Sequence, residues 1–283
     1  FGYRNNIIIK KRMLDDIEFF QGETLLETDL NNLTVAISKD MAYNFEFHDP
    51  KPAFDVLHKL TTADGYHYTA HGFVNGHRKS ENVIPGFDLL ILDCDGDVSI
   101  STAKVLLEDY TFLLSTTKRH TEEMNRFRLI LPMSHKLKLT VGEYSKFMMN
   151  IFEWLPFPVD EGAKDIARKW ETYAGHYEYN NGYIIDATKF IPETKRSDET
   201  KAQISATGIG NIERWFRTHT SKGNRANHLY RYGMVLIDNE YPLGEIVEKM
   251  EAFNNSLETP LPEDQFRNST IKSISKEFQK KGK

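Results

Sequence analysis

Asp93-Cys94-Asp95 closes the continuous apolar run Leu89 to Leu92, the composition of a strand buried on both faces. Residues two apart on a strand project from the same face, so Asp93 and Asp95 aim both carboxylates at one point. Two hard anionic oxygen donors so placed suit Mg²⁺ or Mn²⁺, usually alongside substrate phosphates. The next apolar run, Phe112 to Leu114, leads into Ser115-Thr116-Thr117-Lys118-Arg119-His120, and a polar turn later comes Arg126-Phe127-Arg128-Leu129-Ile130-Leu131-Pro132. An acidic pair facing a Lys/Arg/His cluster has the makings of a polyphosphate site. Taken singly, an acidic turn after a strand is most often just solvated, and a basic loop is usually surface. Their occurrence on neighbouring elements of one short segment favours the site.

Two further groups extend the candidate site. Asp160 follows an aromatic-apolar run and is placed to return to Asp93 and Asp95 as a third carboxylate. Arg168 lies eight residues on, and a guanidinium matches phosphate oxygens bidentately. The competing reading of this stretch is a solvated helix of alternating charge. Arg78 sits at a basic turn tip, His77-Arg78-Lys79, within reach of phosphate or simply solvated.

These residues need strands and helices to hold them. Tyr66 to Phe73 alternates as a strand does, with Asn75-Gly76 as a tight turn after it. Ser99 to Asp109 is expected to be a helix capped by Ser99, joining two apolar strands as a crossover unit. Thr140 to Leu155 is a second helix, with Thr140 and Glu143 as a capping box and Tyr144, Phe147, Met148 and Ile151 on its core face. Residues 6–50 read as short strands and turns, Ala53 to Leu60 as a short helix, and Ile184 to Ile191 as a closing strand. The polar stretch 192–208 marks a linker. Beyond it the pattern is helical: Ile212 to Thr218, Arg225 to Asp238, Leu243 to Asn254, and Pro262 to Phe278.

The chain has 283 residues, 40% of them hydrophobic and 27% charged, enough to bury one large core or two. No apolar run approaches the ~18 residues of a membrane span, and Ile7 to Ile9 is too short for a secretory signal. One cysteine, Cys94, excludes a disulfide framework and a CxxC zinc site, so the cytoplasm is the expected location and no membrane partner is expected. The net charge of −5 argues against a generic nucleic-acid binder. Residues 1–97 carry 9 Lys/Arg against 16 Asp/Glu, while 98–283 carry 27 against 25, so a polyanion surface belongs to the later part.

Three motifs in order resemble the archaeo-eukaryotic primase (AEP) superfamily, in its phage and plasmid primase-polymerase branch. They are Leu90-Ile91-Leu92-Asp93-Cys94-Asp95, then Thr117-Lys118-Arg119-His120, then Val159-Asp160 with Arg168. Asn125 to Pro132 also looks like members of that branch, and Gly223 to Phe278 resembles the primase C-terminal helical module. Lys118 departs from the small residue many members carry there, and Asn227 matches the module only if its Asn is displaced by one or two positions.

The resemblance implies an α+β chain. An AEP/RRM-like catalytic domain with a mixed sheet flanked by helices would span 1–195, a linker 196–209, and a small all-α bundle 210–283. It implies a DNA primase-polymerase, a nucleotidyltransferase making and extending primers on single-stranded DNA from NTPs or dNTPs in phage or plasmid replication. Asp93, Asp95 and Asp160 would hold two divalent ions, Mg²⁺ or Mn²⁺. Thr117, Lys118, His120, Arg128, Arg168 and Arg78 would bind nucleotide, with His120 also in the catalytic set; of Arg126 and Arg128 only one need point inward. Arg214, Arg217, Lys222, Arg225 and Arg231, beside Trp215, Phe216, Tyr230 and Tyr232, form a basic and aromatic edge suited to single-stranded DNA, unless those aromatics are core. Such primases work with a replicative helicase in trans or fused to one. This chain has no Walker motif, so a longer natural polypeptide is an expectation.

Two alternatives stand beside this reading. Asp93-Cys94-Asp95-Gly96 followed by a strand ending in Ser115-Thr116-Thr117 also resembles the haloacid-dehalogenase phosphatases, although the downstream acidic pair of that family is missing. The third is a catalytically silent replication-initiation module that binds DNA.

Overall fold

The computed structural model describes residues 25–39, 44–206 and 210–282. The expectation of short strands before residue 25 lies outside the described residues. The chain divides into two compact units. One comprises residues up to Asp97, Asp109–Trp154 and Pro158–Ala202; the other comprises Val98–Glu108, Leu155–Phe157 and Gln203–Lys283.

Among the described residues the first unit has ten strands: β1 Leu26–Glu27, β2 Ala36–Ser38, β3 His67–Thr69, β4 Gly72–Phe73, β5 Val83–Ile84, β6 Phe87–Asp95, β7 Phe112–Thr116, β8 Arg126–Leu137, β9 Trp170–Glu171 and β10 Tyr177–Asn180. The long strand β8 lies between β6 and β7, and β10 adds to the outer side of β7. Both β6 and β7 run antiparallel to β8, so they are parallel to each other with β8 inserted between them. The expected crossover therefore joins strands that are not hydrogen-bonded neighbours. The expected mixed sheet is corrected as well. Every named strand pair is antiparallel, and among the described residues parallel pairing occurs only as the lone bridges Tyr110–Tyr183 and Met133–Ile185. A second sheet orders β2-β3-β9.

Strand β6 is buried from Phe87 through Leu92, as its unbroken apolar run requires. Asp88 is the exception in composition. It is fully buried, and its carboxylate accepts the Thr34 N–H at 2.9 Å and hydroxyl at 3.2 Å, with Lys136 Nζ at 3.1 Å. A buried carboxylate persists only when paired and hydrogen-bonded in this way.

Helix α1 is His58–Thr61, after a 3₁₀ turn at Phe54–Val56, and helix α3 is Val141–Trp154. The capping box of α3 forms as its spacing predicts: Thr140 N–H donates to Glu143 Oε2 at 2.7 Å, and Glu143 N–H to Thr140 Oγ1 at 3.4 Å. Tyr144, Phe147, Met148 and Ile151 are buried. The expected strand Ile184 to Ile191 is instead the bridge at Ile185 followed by a 3₁₀ turn at Ala187–Lys189. Asp186 initiates that turn by accepting the Thr188 N–H, which diverts the backbone from a ladder. The polar stretch read as a linker is helical over α4, Lys195–Ala206. Its single buried residue, Ser197, explains why no apolar stripe betrays it.

The second unit contains α2 Ile100–Leu106, α5 Asn211–His219, α6 Arg225–Asp238, α7 Leu243–Ser256, α8 Glu263–Gln265, a π-helical turn Phe266–Ile271 and α9 Lys272–Lys280. The connecting helix α2 is fastened to α6 through Asp238, whose carboxylate accepts the hydroxyls of Ser99 at 2.5 Å, Ser101 at 2.7 Å, and Thr102. Trp215 Nε1 donates to the Leu106 carbonyl at 2.9 Å. Among the described residues no helix is long and apolar enough to cross a membrane.

Candidate functional site

Register brings the acidic pair against arginine. On the β6–β8 ladder Asp93 lies opposite Arg128 and Asp95 opposite Arg126, and directly opposed residues share a face. Both arginines therefore turn toward the carboxylates, where the sequence required only one to do so. Arg128 Nε donates to Asp93 Oδ1 at 2.7 Å, and Arg126 Nη1 donates to Asp95 Oδ1 at 2.9 Å. The two pairs differ in setting. The side chains of Asp93 and Arg128 are 15% and 13% exposed, whereas that of Asp95 is 53% exposed. Losing one partner of a dehydrated pair costs about 3–5 kcal/mol, and an exposed pair contributes only about 0–1 kcal/mol. Asp93–Arg128 is the stronger determinant of local geometry.

Burial pushes the Asp93 carboxyl up from its ordinary value, and Arg128 and Arg168 only partly offset this. The same burial works against the charge of Arg128, but Tyr68 and Asp93 outweigh it there. The guanidinium keeps its proton, and the carboxylate is the member of the pair that acid would neutralise.

Gly96 ends the strand because its backbone sits at φ +107°, a region side chains rarely adopt. A Cβ there would lie 2.9 Å from Met124 Cγ, so the acidic turn and the β7–β8 loop approach closely. That loop is closed by Thr117 N–H on the Arg126 carbonyl at 3.0 Å and by Arg126 N–H on His120 Nδ1 at 3.1 Å. Because Nδ1 accepts, the proton of the neutral His120 ring resides on Nε2.

Asp93, Asp95, Arg126 and Arg128 line a cleft of about 570 Å³ with Thr117, Lys118 and Arg119 on one wall and Glu171, Thr172 and Tyr173 on another. Thr117 is half-buried, and Lys118 and Arg119 are exposed. The second wall is pinned by Arg128 Nη1 on the Glu171 carbonyl, Tyr66 N–H on Thr172 Oγ1 at 3.1 Å, and Tyr173 N–H on the Thr61 carbonyl at 3.0 Å.

The remaining expected residues fall into two groups. Asp160 donates its backbone N–H to the Asp93 carbonyl at 2.9 Å, and its carboxylate accepts the Gly162 N–H at 2.8 Å and Arg168 Nη2 at 2.7 Å. Arg168 Nη2 stands 4.0 Å from Asp93 Oδ2, between the two acids. Asp160, Arg168 and His120 thus adjoin the cleft without lining it. Arg78 is elsewhere in the unit: it donates to Asn44 Oδ1 and to the Ala167 carbonyl, tethering the segment before Arg168. Among the described residues no three His, Cys, Asp or Glu side chains converge as a metal-binding group. The donors do fit a hard divalent ion in kind, since Asp93 and Asp95 present carboxylate oxygens on one face of an open, polar cleft.

Sequence reasoning missed Glu171, Thr172 and Tyr173. The β9 strand is two residues long, too short for any periodicity, and the available signal was an aromatic residue in the polar stretch Glu171-Thr172-Tyr173-Ala174-Gly175.

In the helical unit the expected basic edge is largely engaged. Arg231 is corrected to a core residue: it is 4% exposed, donates to the Val105 carbonyl and pairs with Glu108 at 3.0 Å. Arg214 donates to the Leu155 carbonyl, Arg217 to the Ser256 carbonyl and Glu213, and Arg225 to the Thr259 carbonyl. Lys222 is exposed. Trp215, Phe216 and Tyr232 are buried, in keeping with a core role.

Residues 217–280 match the family model of Primase C terminal 1 (PriCT-1), so the expected likeness of Gly223 to Phe278 to that module is borne out. No curated relative matches the chain. Among solved structures, the AEP domain of the primase-polymerase (PrimPol) of cyanophage S-2L aligns at 10% identity and a TM-score of 0.34, over 68% of this chain and 97% of that one. That likeness is too distant to assign a fold.

Proposed function

We propose that this chain, which carries a primase C-terminal module over residues 217–280, is a template-directed nucleotidyltransferase of the primase-polymerase kind. Its catalytic part would be an AEP/RRM-like domain over 1–195, and 210–283 would assist initiation on single-stranded DNA. The observation that carries the reading is the cleft itself, where two same-face carboxylates each meet an arginine and the basic loop Thr117-Lys118-Arg119 lines the same space. That arrangement suits a triphosphate whose charge must be held while one phosphoryl group transfers.

Asp93 and Asp95, with Asp160 adjoining, are the residues that would hold Mg²⁺ or Mn²⁺, which supplies activation of the attacking hydroxyl and neutralisation of the leaving pyrophosphate. Arg128 is fixed between Asp93 and the Glu171 carbonyl, so its guanidinium meets a phosphate in a set orientation. Lys118 and Arg119 offer exposed cations in the lining of the cleft. His120 orients the loop through Nδ1, which leaves Nε2–H as the donor it would offer to phosphate. Arg168 couples Asp160 to Asp93 and so acts on the acidic set. The substrates are NTPs or dNTPs on a single-stranded DNA template, and a helicase partner follows from the same reading.

The test incubates the full chain with unprimed single-stranded DNA, labelled nucleotides and Mg²⁺ or Mn²⁺, beside Asp93→Ala and Asp95→Ala. Template-dependent products from the wild type, lost in both variants with circular dichroism unchanged, are expected. Unaltered synthesis in either variant would sink the assignment. Phosphate release from small phosphomonoesters without incorporation would replace it with the phosphatase reading, and DNA binding without either activity with the silent initiation module.

A further inference from the structure

Register extends the acidic row across the whole sheet. Asp93 opposes Arg128 on β8, Arg128 opposes Ser115 on β7, and Ser115 opposes Tyr177 on β10, so these four side chains share one face. At roughly 4.8 Å per strand step, Tyr177 lies about 14 Å from Asp93. That is about four nucleotides of a stacked single strand at ~3.4 Å each.

The far end of this row is aromatic and exposed. Tyr177 is 41% exposed on the outermost strand, and the His58 ring lies stacked on it, with centroids 4.3 Å apart and planes at 15°. His58 is held from beneath, since its backbone N–H donates to the Tyr179 hydroxyl at 2.9 Å and its Nδ1 stands 3.2 Å from the same oxygen. Tyr173, 38% exposed, belongs to the cleft wall. Its ring packs over Gly175, where a Cβ would lie 2.8 Å from the ring and 2.4 Å from Thr116 Oγ1. Isolated exposed aromatics are ordinary. A tyrosine packed in the cleft lining and a second, stacked on His58, on the same sheet face as Asp93 are a different arrangement.

We infer that Tyr173 and the stacked Tyr177–His58 pair form a base-stacking platform for single-stranded nucleic acid leading to the Asp93/Asp95 cleft. Aromatic faces held in place stack unpaired bases without sequence preference, while Lys118 and Arg119 in the cleft wall attract the phosphates. Because the rings are fixed before binding, little side-chain entropy is lost on contact. This inference rests on the nucleotidyltransferase reading and adds to it the path of the strand.

The experiment measures fluorescence anisotropy of labelled oligo(dT) with the full chain in EDTA, where binding is read without chemistry. Tyr173→Ala and Tyr177→Ala are each expected to weaken binding by about 5- to 100-fold. Tyr173→Phe and Tyr177→Phe retain it, and the salt slope is unchanged in all four. Lys118→Ala, in contrast, lowers that slope by about one. Melting curves accompany each variant, and the Phe substitutions control for folding because they keep the packing. Wild-type binding that neither Ala variant weakens overturns the platform and leaves the nucleotidyltransferase reading intact. Phe variants as weak as Ala variants overturn stacking in favour of the hydroxyls. A wild type that binds no single strand overturns both.

Discussion

In the sheet unit Arg126 and Arg128 direct their guanidiniums across a strand pair to Asp95 and Asp93, in a cleft open to solvent. In the helical unit Arg214, Arg217, Arg225 and Arg231 direct theirs to backbone carbonyls of Leu155, Ser256, Thr259 and Val105. Those carbonyls are poor substitutes for a phosphate, yet satisfying them holds helices and loops in place. The comparison separates charge that lines a cleft, to which the proposed reading assigns chemistry, from charge that serves architecture. A cluster of arginines in a sequence does not distinguish the two, because the distinction lies in the setting, open cleft or packed helices, and not in the residue.

Substitutions at four positions sharpen this comparison. Arg128→Ala is expected to have the largest effect, lowering the rate of nucleotide incorporation by about 10²–10³. Arg128→Lys should not restore it, since an ammonium cannot reproduce the fork between Asp93 and Glu171. Steady-state incorporation assays on both variants decide this, and a fully active Lys variant would place Arg128 with the architectural arginines. Arg231→Met is next: unfolding stability should fall by about 1–3 kcal/mol, read from denaturant curves, as the Val105 carbonyl loses its donor. An unchanged midpoint would mean that α2 is held by Asp238 and Trp215 alone.

Arg126→Ala should slow incorporation only about fivefold, because Asp95 is largely exposed and its ion pair is screened by water. An effect as large as that of Arg128 would erase the contrast drawn between the two pairs. Lys222→Ala is the smallest: stability should change by less than about 0.5 kcal/mol, and oligo(dT) anisotropy should give an affinity within about twofold of wild type. A large loss there would restore a nucleic-acid role to the helical unit's surface.

Much of the local structure was legible in the residues. Ser99 caps its helix by accepting the Thr102 N–H at 3.0 Å, and the Thr140–Glu143 box forms. Helix α6 spans the expected Arg225–Asp238. These features depend on side chains within one turn of the backbone they satisfy, so local sequence suffices for them. The π-helical turn at Phe266–Ile271 and the helix at Lys195–Ala206 were not legible, since neither carries a distinguishing apolar period.

The candidate site shows the same division. That Asp93 and Asp95 share a face follows from the two-residue period of a strand, and that Lys118 and Arg119 follow the next strand follows from chain order. Which arginine meets which aspartate is a matter of ladder register between segments more than thirty residues apart. Register is set by the burial of Leu90, Leu92, Leu129 and Leu131 against the rest of the core, not by the charged residues themselves. The same holds for Tyr177, whose place at the end of the row from Asp93 depends on three successive strand pairings. The sequence by itself determined most of the elements and which residue types lie at the end of each. Only the tertiary structure decided that Arg128 faces a cleft and Arg231 a core, because partner choice follows long-range packing, which no local period records.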